Sequence, residues 1–305
     1  MNNMNDMNNN DIMLNVGYVC VVNDFSNNTD SGIYLTHDYG FFSNCVIRLQ
    51  VIIDFIQTKK KLPEFIDNSK SFSWYKPKKL MVYNDENDKN KDIFYEYFRH
   101  NPDINIDVNI PLEFDQKFQF WIYKKLEKLD NIIPYVAKYF DLSNETRDIA
   151  DGLLRKYNVN LDNTCVLFYR GHDKSRETPT GSYNEFLKKA YEVMEKNPDV
   201  VFLVQSDETG FIQLMKKILP NVIVFDDEIR HMHRNILTSV DGVEGDGFDN
   251  YKYSKYFVAI VWIMSRCKHV VCNTGNISLF IYFWRQIYNK NNAENIDQFF
   301  LDRWY

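Results

Sequence analysis

The sequence predicts an α/β protein with a parallel sheet in its C-terminal half. Three observations predict it. Short apolar runs rich in β-branched residues recur at 164–169, 200–205, 222–225 and 269–272. Amphipathic stretches of helical length alternate with them at 182–196, 208–218, 253–266 and 276–288. Strands alternating with helices imply βαβ units and right-handed crossovers, the pattern of Rossmann-like halves.

In chain order, residues 1–12 are Asn-rich, with no basic n-region and no apolar h-region. They read as a disordered tail and not as a signal peptide. Residues 16–22 and 32–36 are strand-like, with a polar turn region between them. The turn that follows holds Gly40, Ser43 and Asn44, and the apolar stretch 45–56 reads as a buried helix capped by Ser43 or Asn44. Residues 80–83 suggest a strand, 84–92 a surface loop. The alternation I-N-I-D-V-N-I at 104–110 predicts a half-exposed strand. Residues 114–129 and 132–140 read as aromatic-rich helices, and 144–157 as an amphipathic helix capped by Ser143 or Asn144. The polar stretch at 158–163 marks a boundary. It divides the chain into an N-terminal α/β domain, 13–157, and a C-terminal domain, 158–305.

The densest chemistry follows the first strand of the C-terminal half. Residues 165–178 read C-V-L-F-Y-R-G-H-D-K-S-R-E-T. A buried-strand signal turns abruptly into Arg170, Gly171, His172, Asp173, Lys174, Arg176 and Glu177. Ser182 and Glu185 then form an S-x-x-E capping box. Ligands of open α/β sheets bind at the carboxyl ends of the strands, where this loop falls. Its cations suit a phosphate or pyrophosphate, and Glu177 is a candidate proton acceptor. The plain alternative is a solvated loop with local ion pairs. Two later strand ends carry similar signals. Asp207 suits a contact to a base or ribose, or the cap of the next helix. The turn Asn273-Thr274-Gly275-Asn276-Ile277-Ser278 allows close backbone approach to an anion at a helix N-terminus, or is a simple helix cap. His231 and His233 lack a third ligand and read as loop residues. Glu244-Gly245-Asp246 follows no strand and reads as part of a mobile loop.

The stretch F-Y-R-G-H-D-K-x-x-E at 168–177 resembles the first nucleotide-sugar motif of the α1,6-fucosyltransferase and nodulation-fucosyltransferase group. Residues 201–207 with 221–227, and then 263–278, resemble later motifs of that group in the same order, so the resemblance covers roughly the C-terminal half. Gly40 and Asn44 resemble the positions before the group's first helix. The resemblance implies two Rossmann-like domains facing a cleft, the GT-B arrangement. It also implies transfer of fucose from GDP-fucose to a glycan or glycoprotein acceptor, with inversion and without a metal or other cofactor. Carried over residue by residue, it sets Arg170 and Lys174 at the departing diphosphate and Glu177 as base for the acceptor hydroxyl. The donor side would comprise Asp173, Asp207, Asn273, Thr274, Gly275, Asn276 and Ser278, with Gly40 and Asn44. The chain departs from the pattern at Phe168, where the group has His, and at Ile277, which cannot donate. Glu177 also stands one residue early relative to the arginine. These departures keep two alternatives open: a binding protein without turnover, and a transferase using another nucleotide sugar.

Composition bounds these readings. Length 305 fits one large or two modest domains. The net charge of −6 argues against a general nucleic-acid binder, which needs a basic face. Aromatic residues make up 16%, enough for a substantial core and for sugar-stacking surfaces. No apolar run is long enough to span a membrane. The five cysteines, at 20, 45, 165, 267 and 272, have neither disulfide-framework nor zinc spacing, so a soluble, reducing compartment such as the cytoplasm is expected.

Overall fold

The computed structural model describes residues 26–77, 91–114, 123, 126, 128–240, 249–289 and 297–301. In the N-terminal half, β1 (Ser26–Asn28) pairs antiparallel with β2 (Gly32–Leu35), and β2 pairs parallel with β3 (Phe65–Asp67). Helix α1 (Phe41–Lys59) is the crossover between β2 and β3, so this is a single βαβ unit with an added edge strand. The chain continues through α2 (Phe94–Tyr97), β4 (Phe98–Arg99) and α3 (Ile133–Tyr139), then β5 (Asp141–Leu142), which pairs with β4, and α4 (Asn144–Lys156).

The C-terminal half is a five-stranded parallel sheet. Its elements are β6 (Thr164–Tyr169), α5 (Lys174–Glu177), α6 (Tyr183–Lys196), β7 (Val201–Ser206), α7 (Thr209–Ile218) and β8 (Val222–Ile223). Helix α8 (Asn250–Arg266) then leads to β9 (His269–Cys272), α9 (Asn276–Asn289) and β10 (Asp297–Phe300). The strand order is β10-β9-β6-β7-β8, every neighbouring pair parallel. The chain therefore winds outward from β6 through β7 to β8, returns along α8, and winds the other way through β9. That reversal opens a crevice at the carboxyl ends of β6 and β9.

Local chemistry explains these elements. All six residues of β6 are buried, which fits a central strand covered on both faces. Ser182 and Glu185 make both bonds of the predicted capping box at α6, and the Ser143 hydroxyl accepts the Thr146 N–H at α4. At the far end of α8, the buried Arg285 side chain donates to the carbonyls of Ser265, Cys267 and Lys268, which the helix itself leaves unsatisfied.

Residues on both sides of the 157/158 division share one apolar core. The Phe42 ring meets Phe257 and Phe280 at centroid distances of 5.5 and 5.3 Å. Tyr97 and Ser254 join their hydroxyls at 2.7 Å inside it.

The structure corrects several expectations. Residues 104–110 form no strand. Ile106 and Val108 pack against the core, but Asp107 accepts the Asn109 N–H, and the carbonyls of Ile104 and Ile110 accept from Lys138 and Gln57. The alternation thus reports packing, with side chains in place of a ladder. Helix α1 begins at Phe41, earlier than expected, because Phe41 and Phe42 are both core residues. Its N-cap is Gly40, with no side-chain cap, so neither Ser43 nor Asn44 has that role. Strands β1, β3, β4, β5 and β10 and the short α2 and α5 are not among the elements expected from the sequence. The strand expectations at 16–22 and 80–83, most of the helix at 114–129 and the loop residues 244–246 lie outside the described residues. Among the described residues, no helix is long and apolar enough to cross a membrane.

Candidate functional site

The crevice at the ends of β6 and β9 opens into a cleft of about 300 Å³, large enough for a small organic ligand. One wall comes from the loop after β6: Arg170, Asp173, Lys174 and Glu177. Thr274, Gly275, Asn276 and Ser278, from the turn after β9, form its floor. Tyr39, Gly40, Ser43 and Trp74, from the N-terminal half, also line it. Residues predicted from three separate stretches thus converge on one cavity.

The β6 loop is held by its neighbours. The Arg170 N–H donates to Asn273 Oδ1 at 2.9 Å, tying the two strand ends at the switch point together. The Gly171 N–H donates to Asp207 Oδ1 at 2.9 Å, and the His172 N–H to Glu208 Oε1 at 3.2 Å. His172 Nε2 donates to the Asp207 carbonyl, while its Nδ1 accepts the Asn235 N–H. Gly171 is required by space: a Cβ there would come within 1.9 Å of Glu208 Oε1.

Arg170 is the centre of the charge pattern. Its Nε stands 2.8 Å from Asp207 Oδ2, and its Nη2 3.5 Å from Asp173 Oδ1. Its side chain lines the cleft and keeps 23% of its surface exposed. Burial pushes the Asp207 carboxyl above its ordinary pKa, against the opposing pull of Arg170 and the Gly171 N–H. Asp207 does not cap α7, whose N-cap is Glu208 without a side-chain bond. Its carboxylate instead holds Arg170 and the loop. Behind Arg170 lies a smaller cavity of about 40 Å³ that Asp207 helps to line, with room for a few waters and not for a ring.

Lys174 is nearly buried, and its Nζ lies 2.7 Å from Glu177 Oε2. Its stem passes Gly275, whose φ of +146° favours glycine; a Cβ there would meet Lys174 Cε at 3.4 Å. The Tyr123 hydroxyl accepts the Gly275 N–H at 3.0 Å and pins the turn. The Ser278 hydroxyl donates to the Asn273 carbonyl, so that donor is used within the turn. Asn276 Oδ1 is enclosed and, among the described residues, has no hydrogen-bond partner. Ile277 is buried beside it, and Phe168 lines the cleft.

Asn44 is not a cleft residue. It is buried within α1, and its amide bonds both the N–H and the carbonyl of Tyr39, at 2.9 and 3.0 Å. It shapes the turn that presents Tyr39 and Gly40. His231 pairs with the Thr209 hydroxyl at 2.8 Å.

Sequence reasoning missed Glu208, which is 1% exposed and accepts from the His172 N–H and the Tyr183 hydroxyl. A carboxylate directly after a buried strand was the available signal. It missed Tyr123 because its partner Gly275 is distant in sequence, and Trp74 because the cleft it lines is assembled from distant segments.

No known family model matches the chain. No curated protein matches it either. Among solved structures, it is distantly similar to NodZ α-1,6-fucosyltransferase soaked with GDP-fucose, with 10% identity and a TM-score of 0.31, over 51% of this chain and 46% of that one. It is similar in the same degree to fucosyltransferase NodZ from Bradyrhizobium, with 11% identity and a TM-score of 0.32, over 50% and 45%. The chain spans about half the length of these structures.

Proposed function

We propose that this cleft binds a nucleotide sugar by its diphosphate and transfers the sugar to a hydroxyl acceptor. The motif resemblance suggests GDP-fucose as donor, a glycan as acceptor, and two α/β halves in a GT-B-like arrangement. The observation that carries the reading is a convergence of anion-stabilising groups. Arg170 and Lys174 line the same cleft as the first residues of α1 and α9. Helix N-termini attract negative charge, and two of them beside two cations favour a diphosphate.

Transfer at a sugar carbon needs fixed donors for the departing charge. In this reading, the acceptor oxygen forms a bond to the anomeric carbon as the bond to the diphosphate oxygen breaks. Glu177 takes the acceptor proton, while Arg170 and Lys174 hold the leaving diphosphate. Arrival of the diphosphate draws Lys174 from Glu177 and frees that carboxylate for the proton.

Isothermal titration with GDP, paired with a GDP-fucose turnover assay, tests the proposal. Saturable binding with turnover is expected, with turnover abolished in a folded Arg170→Ala variant. Wild-type turnover in that variant refutes the role of Arg170, and absence of nucleotide binding refutes the whole. A second reading is nucleotide binding without catalysis. It is favoured by the Lys174–Glu177 pair and by Ile277 in the turn. Binding without donor cleavage selects it, and a thermal-shift panel that singles out UDP selects another donor.

A further inference from the structure

The cleft has two chemically different walls. Among the described residues that line it, the charged side chains all come from the β6 loop. The described lining from the N-terminal half is Tyr39, Gly40, Phe41, Phe42, Ser43 and Trp74, none of them charged. Phe41 and Phe42 are core residues, but Tyr39 is 61% and Trp74 44% exposed. Among the described aromatic residues, Tyr39 is the most exposed.

Both exposed rings stand on rigid supports. Asn44 bonds both backbone groups of Tyr39, and the His37 ring packs against the Tyr39 ring at 4.8 Å. Trp74 lies within a single 3₁₀ turn, Ser73–Tyr75. Asp38 accepts both the N–H and the hydroxyl of Ser73, and the Tyr75 hydroxyl accepts the Phe41 N–H at the start of α1. Both carboxylate oxygens of Asp38 are thereby engaged by Ser73, and Asp38 is not among the described lining of the cleft. Burial holds His37 down to about pKa 4, so it adds no charge near neutral pH. Two exposed rings on held backbone therefore line the cleft, and the described lining beside them is uncharged and includes the Ser43 hydroxyl, which pairs with the His37 ring at 3.1 Å. Such pre-ordering removes much of the entropy cost of binding.

We infer that Tyr39 and Trp74 form a stacking platform for the pyranose rings of a neutral oligosaccharide. A pyranose offers an apolar C–H face for an aromatic ring and hydroxyls along its edge. Among the described residues, the lining around these two rings offers no cation for a carboxylated or sulfated glycan and no carboxylate for a basic peptide. This assignment to the acceptor rests on the transferase reading above; the saccharide binding itself does not.

The test is titration of the full chain, followed by saturation-transfer NMR and tryptophan fluorescence, with cellotetraose, maltotetraose and the N-acetylglucosamine tetramer. Tetragalacturonate serves as the acidic control, and GDP is titrated separately. At least one neutral tetrasaccharide is expected to saturate, with transfer concentrated on ring C–H protons. Tyr39→Ala and Trp74→Ala, shown folded by circular dichroism, are each expected to weaken it about tenfold, and Tyr39→Phe less than threefold. No saturable neutral saccharide, tighter binding of tetragalacturonate, or unchanged affinity in both alanine variants overturns the platform. Saccharide binding without GDP binding upholds it and sinks the nucleotide-sugar reading. GDP binding without saccharide binding does the reverse.

Discussion

Arg170 Nε stands 2.8 Å from Oδ2 of Asp207, a carboxylate buried at the end of the neighbouring strand. The other oxygen of Asp207 accepts the Gly171 N–H. One buried acid thus sets the side chain of Arg170 and the backbone next to it. Arg170→Ala removes the cation itself, whereas changes at Asp207 test its orientation. Asp207→Asn keeps the shape and removes the charge. It takes away the buried counter-charge of Arg170, is expected to lower stability by roughly 2 kcal/mol, as for a charged group that loses its partner, and should weaken nucleotide binding about tenfold. Urea unfolding and GDP titration check it; no change in either removes Asp207 from a positioning role.

Space dictates the second prediction. Gly171→Ala drives a methyl group into Glu208, with the Cβ 1.9 Å from Oε1. The Glu208 side chain is fixed by Tyr183 and the His172 N–H, so it has little freedom to retreat. A loss of about 1–3 kcal/mol is expected, the range for overpacking. Gly152→Ala, inside α4 with nothing within 4 Å of the new Cβ, should instead stabilise by roughly 0.5–1 kcal/mol. Thermal unfolding of both variants decides it, and equal effects would contradict the close approach.

A third prediction concerns pH. Burial lowers the pKa of His37 to about 4, against the pull of Asp38. Burial and the charges of Arg48 and Lys138 likewise lower His100 to about 4. Both values lie below the ordinary 6.5, so the unfolded chain takes up protons first as pH falls. Stability from keeping these rings uncharged is complete above about pH 6.5 and is lost between 6.5 and 4. His100 adds a geometric reason, since its Nε2 accepts from Arg48 Nη2 at 2.9 Å. The urea midpoint should fall across that window, and His37→Gln and His100→Gln should each flatten the fall. A wild-type midpoint that is constant from pH 7 to 4.5 contradicts it.

The fourth prediction is structural. Arg285 is 2% exposed and binds three carbonyls around the end of α8. Arg285→Met fills similar space but leaves those acceptors buried without donors, at a cost of about 3 kcal/mol. A midpoint within 0.5 kcal/mol of wild type, by urea unfolding, would mean that water replaces the guanidinium.

The C-terminal half was the more legible half because its signals are local. Four apolar runs, each flanked by an amphipathic helix, announced β6, β7, β8 and β9, and Ser182 with Glu185 announced α6. The N-terminal half was harder. β1 and β3 are three residues each, too short for a periodic signal, and exist only as ladders on β2, which the sequence did announce. The alternation at 104–110 misled because packing against the core produces the same pattern as a ladder.

The sequence by itself determined the alternation of strands and helices, the charged loop after β6 and the small-residue turn after β9, since propensity and capping act within a few residues. Only the tertiary structure decided what these parts become together. The reversal of strand order sets the Arg170 and Asn273 strand ends side by side, and the shared core brings Tyr39 and Trp74 to the same cleft. Asp207 is a support for Arg170, and Asn44 a support for Tyr39, for the same reason. A side chain's partner is chosen by the folded path of the chain, across separations that no local pattern encodes.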